Sequence, residues 1–179
     1  GLKTRGGPAR NPFRDPRVRR AFALAIGSSR LTAIEEGSIP SQPVPGFVFG
    51  FDPSLPARRE DHEAARRQIR EAGYPNGFDL DLDVRTVMAG YAAPVAADLA
   101  QIGIRARVRI LDEKEYFARV EGGRSALYIL RFSCRTGDAQ EFLDKWVHSR
   151  DEPRGLGLFT FSYTVCPVAG LDAAIEAAR

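Results

Sequence analysis

Lysine is nearly missing. Of the 26 basic residues in 179, only Lys3, Lys114 and Lys145 are lysines, and the rest are arginines. Guanidinium forks suit planar anions, so this skew fits phosphate or carboxylate recognition, but a GC-rich coding sequence produces it without functional pressure and is the preferred reading. The arginines run along the whole chain instead of forming one block, which weakens a nucleic-acid reading. Cysteine is scarce too: Cys134 and Cys166 form no CxxC pair, so zinc-ribbon and thioredoxin-like readings have no support. Either one disulfide or two separate thiols remain open. No uncharged apolar run reaches the length of a membrane span, and no apolar stretch follows the first basic residues, so no signal peptide is expected in this segment.

Catalytic signatures are absent as well. No lysine follows a glycine, which excludes a P-loop, and no serine stands in Gly-x-Ser-x-Gly. His62-Glu63 opens a zinc-protease pattern, but Arg66 occupies the place of its second histidine. His62 and His148 are the two histidines, and both read as solvated helix residues. The adjacent carboxylates Glu35 and Glu36 read as a solvated face. Neither an enzyme nor a metal or cofactor site is expected.

What is present is an ordinary globular balance: 44% hydrophobic, 27% charged, net charge +3. Asp15 before Pro16 marks a helix start, with Val18, Ala21, Phe22 and Ala25 on its inner face. Ser28 or Ser29 caps a second short helix reaching Glu36. Five prolines between residues 38 and 57 predict an ordered loop in which Phe47, Phe49 and Phe51 pack inward. A helix over 60–72 ends at Gly73. Then Leu80, Leu82 and Val84 alternate with Asp79, Asp81 and Asp83, and Ile104, Ala106, Val108 and Ile110 alternate with Arg105, Arg107 and Arg109. With a helix over 89–101 between them, these predict a right-handed βαβ unit whose aspartate row faces the arginine row. A helix over 112–121 follows. Residues 126–130 are apolar on both faces, as a central strand requires. A strand over 158–163 and a helix from residue 169 complete the reading.

In α/β sheets ligands gather beyond the carboxyl ends of strands. The loop after residue 130, with Phe132, Ser133, Cys134, Arg135, Thr136 and the helix-capping Asp138, is therefore the candidate site. Its backbone N–H groups and Arg135 predict an anion site, with Arg85 as a neighbour; the alternative is that Arg135 merely pairs with Asp138 or Glu141.

Four segments carry a family resemblance. Asn11-Pro-Phe-Arg-Asp-Pro-Arg-Val-Arg-Arg-Ala-Phe-Ala-Leu-Ala-Ile26, Glu63-Ala-Ala-Arg-Arg-Gln-Ile-Arg-Glu-Ala-Gly-Tyr-Pro-Asn-Gly-Phe78, Leu99-Ala-Gln-Ile-Gly-Ile104 and Asp138-Ala-Gln-Glu-Phe-Leu143 resemble, in order and spacing, the family 5 extracellular solute-binding proteins of ABC importers. The resemblance implies a mixed, mostly parallel α/β sheet flanked by helices, residues 1–179 being a single lobe of a longer two-lobe, type II-like periplasmic binding protein. It implies a small solute such as a peptide or opine, ABC permease partners, no cofactor, and a periplasmic or extracellular place with a possible membrane tether. Peptide binders of the family carry a tryptophan and, three residues on, an aspartate that pairs with the peptide ammonium. Phe132 and Arg135 stand at those positions, a charge reversal that implies a carboxylate, phosphate or ammonium-free ligand. Arg85 is the one arginine near the family's carboxylate-anchoring loop. The rival expectation is an arginine-rich nucleic-acid-binding domain with a basic stripe.

Overall fold

Asp15 begins the first helix as the sequence requires: its carboxylate accepts a hydrogen bond from the Arg17 backbone N–H at 2.9 Å, and Pro16 supplies a preset φ at the first helical position. The computed structural model describes residues 11–27, 30–31, 34, 42, 44–56, 59–133, 135–159 and 168–178. They fall into two compact units, Gly1–Ile39 with Arg58–Leu130, and Pro40–Ala57 with Arg131–Arg179.

The first unit contains α1 (Pro16–Ala25), α2 (His62–Glu71), β1 (Phe78–Arg85), α3 (Ala92–Gln101), β2 (Ile104–Leu111), α4 (Glu113–Glu121) and β3 (Leu127–Ile129). Helix α2 starts on the Asp61 cap and ends in a Schellman turn, Tyr74 N–H to Ile69 O and Gly73 N–H to Arg70 O, with Gly73 at φ +93°. A six-residue 3₁₀ turn, Thr86–Tyr91, precedes α3 and takes the place of the first turn expected there. Of the short helix expected after Ser28, Arg30 and Leu31 are helical; most of it lies outside the described residues.

All pairings in the three-stranded sheet are parallel, in the order β2-β1-β3. The central strand is therefore β1. The expectation that residues 126–130 run through the middle is corrected: among the described residues β3 pairs only with β1, and it is half-buried at all three positions. Apolarity on both faces reports burial, and burial does not require a hydrogen-bonded neighbour on each side.

Side chains alternate across β1, which separates two chemistries. Phe78, Leu80, Leu82 and Val84 join α1, α2 and α3 in one apolar core that includes Val18, Phe22, Ile69, Val95 and Leu99. The opposite face carries the predicted ladder in register: Asp79 opposite Arg105, Asp81 opposite Arg107, Asp83 opposite Arg109. Arg105 pairs with Asp79, Arg107 bonds Asp81 at 2.7 Å, and Arg109 bonds Asp83 at 2.7 Å. Helix α4 covers the inner end of this row, placing Arg119 3.1 Å from Asp83, and Ser125 donates to the same carboxylate. Asp83 is fully buried, whereas Asp79 is half exposed. Helices thus flank both faces.

A second buried carboxylate, Asp98 on α3, has no signal in the apolar pattern of that helix. It accepts from the Gly27 backbone N–H at 2.9 Å and pairs with Arg30, stitching the end of α1 to α3. Among the described residues no helix is long and apolar enough to cross a membrane.

The second unit holds α5 (Ala139–Phe142), which continues into a π-turn, Leu143–Val147, and α6 (Leu171–Ala177). Its proline-rich segment is tied to α5 by a parallel bridge: Phe49 N–H donates to Gly137 O and Ala139 N–H to Phe49 O, each at 2.9 Å. Here the sequence expectation is half right. Phe51 and Phe142 pack against the cluster of Val44, Val48 and Ala139, but Phe47 is 88% and Phe49 79% exposed. Val48 takes the inward position, and the turn closed by Val48 N–H to Pro45 O leaves Phe47 on the outside. Residues 158–159 form a turn and not a strand; the remainder of that expected strand lies outside the described residues.

Candidate functional site

Residues 131–137 leave β3 and reach α5, where Asp138 accepts from the Gln140 N–H at 2.8 Å and caps the helix. The π-turn that follows is closed by His148 N–H to Leu143 O at 2.8 Å. It carries Trp146 beside Phe132, ring centroids 5.7 Å apart and 70° inclined. Phe132 also meets Phe142 edge-on at 5.2 Å, and Trp146 stacks on Phe159 at 4.9 Å. A cleft of about 270 Å³ opens against this aromatic wall. Phe132, Trp146 and Phe159 form its apolar side; Arg131, Ser133, Arg135, Lys145 and Glu141 form its polar side.

Glu141 decides the electrostatics. Its Oε2 accepts from the backbone N–H groups of Arg135 (2.9 Å) and Thr136 (3.0 Å) and from the Thr136 hydroxyl (3.1 Å); Lys145 Nζ stands 3.5 Å from Oε1. Those backbone bonds hold the Glu141 carboxyl below its ordinary range despite some opposing desolvation. Of the loop backbone expected to bind an anion, the N–H groups of Arg135 and Thr136 are already satisfied by a carboxylate from the first turn of the next helix. The Arg135 guanidinium is exposed on the cleft wall and has no ion-pair partner among the described residues, so the alternative pairing with Asp138 or Glu141 is not formed by its side chain.

The remaining predicted residues separate. Ser133 lines the cleft; Thr136 and Asp138 shape the loop and helix start; Cys134, like Cys166, lies outside the described residues. Arg85 sits in the first unit, 5.9 Å from the Tyr116 ring centroid and 5.6 Å from that of Phe117, with Glu113 at 3.5 Å. Its Nε is buried without an acceptor among the described residues. Tyr116 beside it donates its hydroxyl to Ile129 O at 2.7 Å, and burial raises its pKa strongly.

The expectation of solvated helix histidines is corrected for His148. His62 opens α2 half-exposed, its Nε2 3.0 Å from Ala25 O. His148 is buried, its Nδ1 2.7 Å from Ser149 O and its Nε2 3.2 Å from Glu176 on α6, with Asp172 at 3.9 Å. Desolvation lowers its pKa, but the Ser149 carbonyl and the two carboxylates outweigh it and raise it overall. Stability from this contact is complete below the ordinary histidine value near 6.5 and is lost as pH rises through the raised folded value. His148→Gln accordingly costs more thermal stability at about pH 5.5 than at about pH 9, read by melting curves; an equal loss at both values contradicts the ion pair. Among the described residues no cluster of three or more metal-ligating side chains forms.

The second unit thus carries a cleft lined by three aromatic rings, three cations and one carboxylate. The chain belongs to the family 5 bacterial extracellular solute-binding proteins, whose family model (the middle part of these proteins) matches residues 1–153. It is 30% identical over 141 residues to di/tripeptide-binding protein 2 of Pseudomonas aeruginosa, covering 74% of this chain and 26% of that protein. The periplasmic binding protein DppA of Helicobacter pylori, solved with the peptide STSA, superposes with a TM-score of 0.69 at 25% identity, over 75% of this chain and 27% of that one. The binding protein MoaA of A. tumefaciens R10, solved with mannopinic acid, gives a TM-score of 0.78 at 25% identity, over 94% of this chain and 34% of that one. The chain spans about a quarter of the length of the curated relatives it matches.

Proposed function

We propose that the chain is part of the solute-capturing component of an ABC importer, which carries a small polar solute and does not transform it. In this reading residues 1–179 form one lobe of a longer two-lobe clamp, and the cleft at residues 131–135 is that lobe's share of the solute contacts. Closure of the clamp is driven by contacts made only when both lobes touch the solute, and the closed form is what the permease accepts. Arg135, Phe132 and Ser133 contact the solute, while Thr136 and Asp138 hold the loop. The protein works in the periplasm or outside the cell.

The observation that carries this reading is the family match over 1–153, joined to a cleft on the loop that follows β3. The relatives' ligands, di- and tripeptides, the peptide STSA and mannopinic acid, set the size class. A nucleic-acid role has less to support it, because Arg105, Arg107 and Arg109 are matched by the aspartates of β1. The test is to denature the purified intact protein, identify released small molecules by mass spectrometry, and measure their rebinding together with uptake by cells lacking the gene. A released solute that rebinds, and whose uptake falls in those cells, supports the proposal. Retention on immobilised DNA that falls steeply with salt, with no solute bound, contradicts it.

A further inference from the structure

The cleft shows which chemistry it prefers. At about 270 Å³ it lies at the lower edge of the ~300–1,000 Å³ usual for small-molecule sites, enough for one flat side-chain-sized group with a polar end. Three cations, Arg131, Arg135 and Lys145, line it against one carboxylate, Glu141. That carboxylate is not available to a ligand: Oε2 already accepts three hydrogen bonds from the loop, and Oε1 faces Lys145. A ligand ammonium would find no free carboxylate among the described residues that line the cleft, and it would meet the Arg135 guanidinium there. An anion, equally, cannot use the N–H groups of Arg135 and Thr136, because Glu141 has filled them. The Arg135 fork is exposed and has no ion-pair partner among the described residues, and it matches the two oxygens of a carboxylate. The same cleft is lined by the aromatic wall of Phe132, Trp146 and Phe159, suited to a flat or apolar body.

Resting on the solute-capture reading above, we propose that this cleft selects a carboxylate joined to a flat apolar group and lacking a nearby ammonium, with Arg135 as the residue that reads the carboxylate. Glu141 is a positioning residue. By saturating the loop backbone it leaves recognition to the side-chain fork and keeps that loop in place.

Calorimetry on the intact protein with three matched probes tests this: N-acetylphenylalanine, N-acetylphenylalaninamide and the dipeptide Ala-Phe. The expected result is that the acid binds about tenfold or more tightly than the amide and than Ala-Phe. Arg135→Gln removes that preference, with unchanged melting because the residue is exposed, whereas Arg105→Gln on the aspartate ladder keeps it. Equal affinity for acid and amide, a preference that survives Arg135→Gln, or binding of none of the three overturns the carboxylate assignment. The importer reading stands or falls separately, on solute release and uptake.

Discussion

Asp83→Ala lowers stability by about 3–5 kcal/mol, whereas Asp79→Ala, four residues back on the same face of the same strand, costs under about 1 kcal/mol. Both aspartates face arginines of β2 in identical register. They differ in burial: Asp83 is fully enclosed, and Asp79 is half exposed beside an Arg105 that is itself half exposed. Removing Asp83 leaves Arg109 and Arg119, which are 27% and 19% exposed, without the carboxylate they share, and leaves the Ser125 hydroxyl without its acceptor. Arg109 keeps Asp81 at 2.9 Å, but Arg119 loses the carboxylate it pairs with, and the two partly desolvated cations face each other's field. Burial alone raises the Asp83 pKa, but hydrogen bonds from Arg109, Ser125 and Arg119 outweigh it and hold it below its ordinary value. Its contribution is therefore present above the ordinary aspartate pKa and persists into mild acid, disappearing only as pH falls through the lowered folded value. Denaturant unfolding of the two variants followed by circular dichroism reads the difference; equal losses contradict the picture of a graded ladder.

Gly77→Ala is expected to cost about 3 kcal/mol or more, which places it with the severe glycine substitutions. Gly77 stands just before β1 at φ +66°, and a Cβ there would lie 1.7 Å from the carbonyl oxygen of Gly103, just before β2. Phe78 is the Cα partner of Ile104, so the two glycines let the parallel strands begin side by side. An alanine must both adopt a left-handed backbone and push the start of β2 away. Gly73→Ala is the control: at φ +93° it has the same backbone difficulty but open space around it, so it costs about 1–2 kcal/mol. Should Gly77→Ala unfold at the same denaturant concentration as Gly73→Ala, the close approach of the strand starts carries no weight.

Much of the first unit is legible in the sequence because its signals are local. Asp15-Pro16 caps a helix whatever surrounds it, Gly73 ends one, and the alternation of 78–84 and 104–110 fixes which side chains share a face. The aspartate and arginine rows even announce their own register. Burial of Asp98 and His148 is not legible, because each depends on a partner far along the chain, Gly27 and Arg30 in one case and Glu176 in the other. The candidate loop shows both situations. Its position after β3 and its Phe132 and Arg135 follow from pattern and resemblance. The role of Glu141 does not, since a glutamate in the first turn of a helix reads as a dipole-compensating residue, and only the three-dimensional path of residues 135–136 brings their N–H groups to it. Phe47 and Phe49 mislead for the reverse reason: aromatic side chains suggest burial, but Val48 between them is the residue that faces inward.

The most direct measurement is a crystal structure of the intact protein with the solute it retains through purification. The account predicts that the solute lies against the Phe132 ring and accepts a hydrogen bond of about 3 Å from the Arg135 guanidinium, with Glu141 still bonded to the loop N–H groups. A solute bound with no contact to residues 131–135 would contradict it.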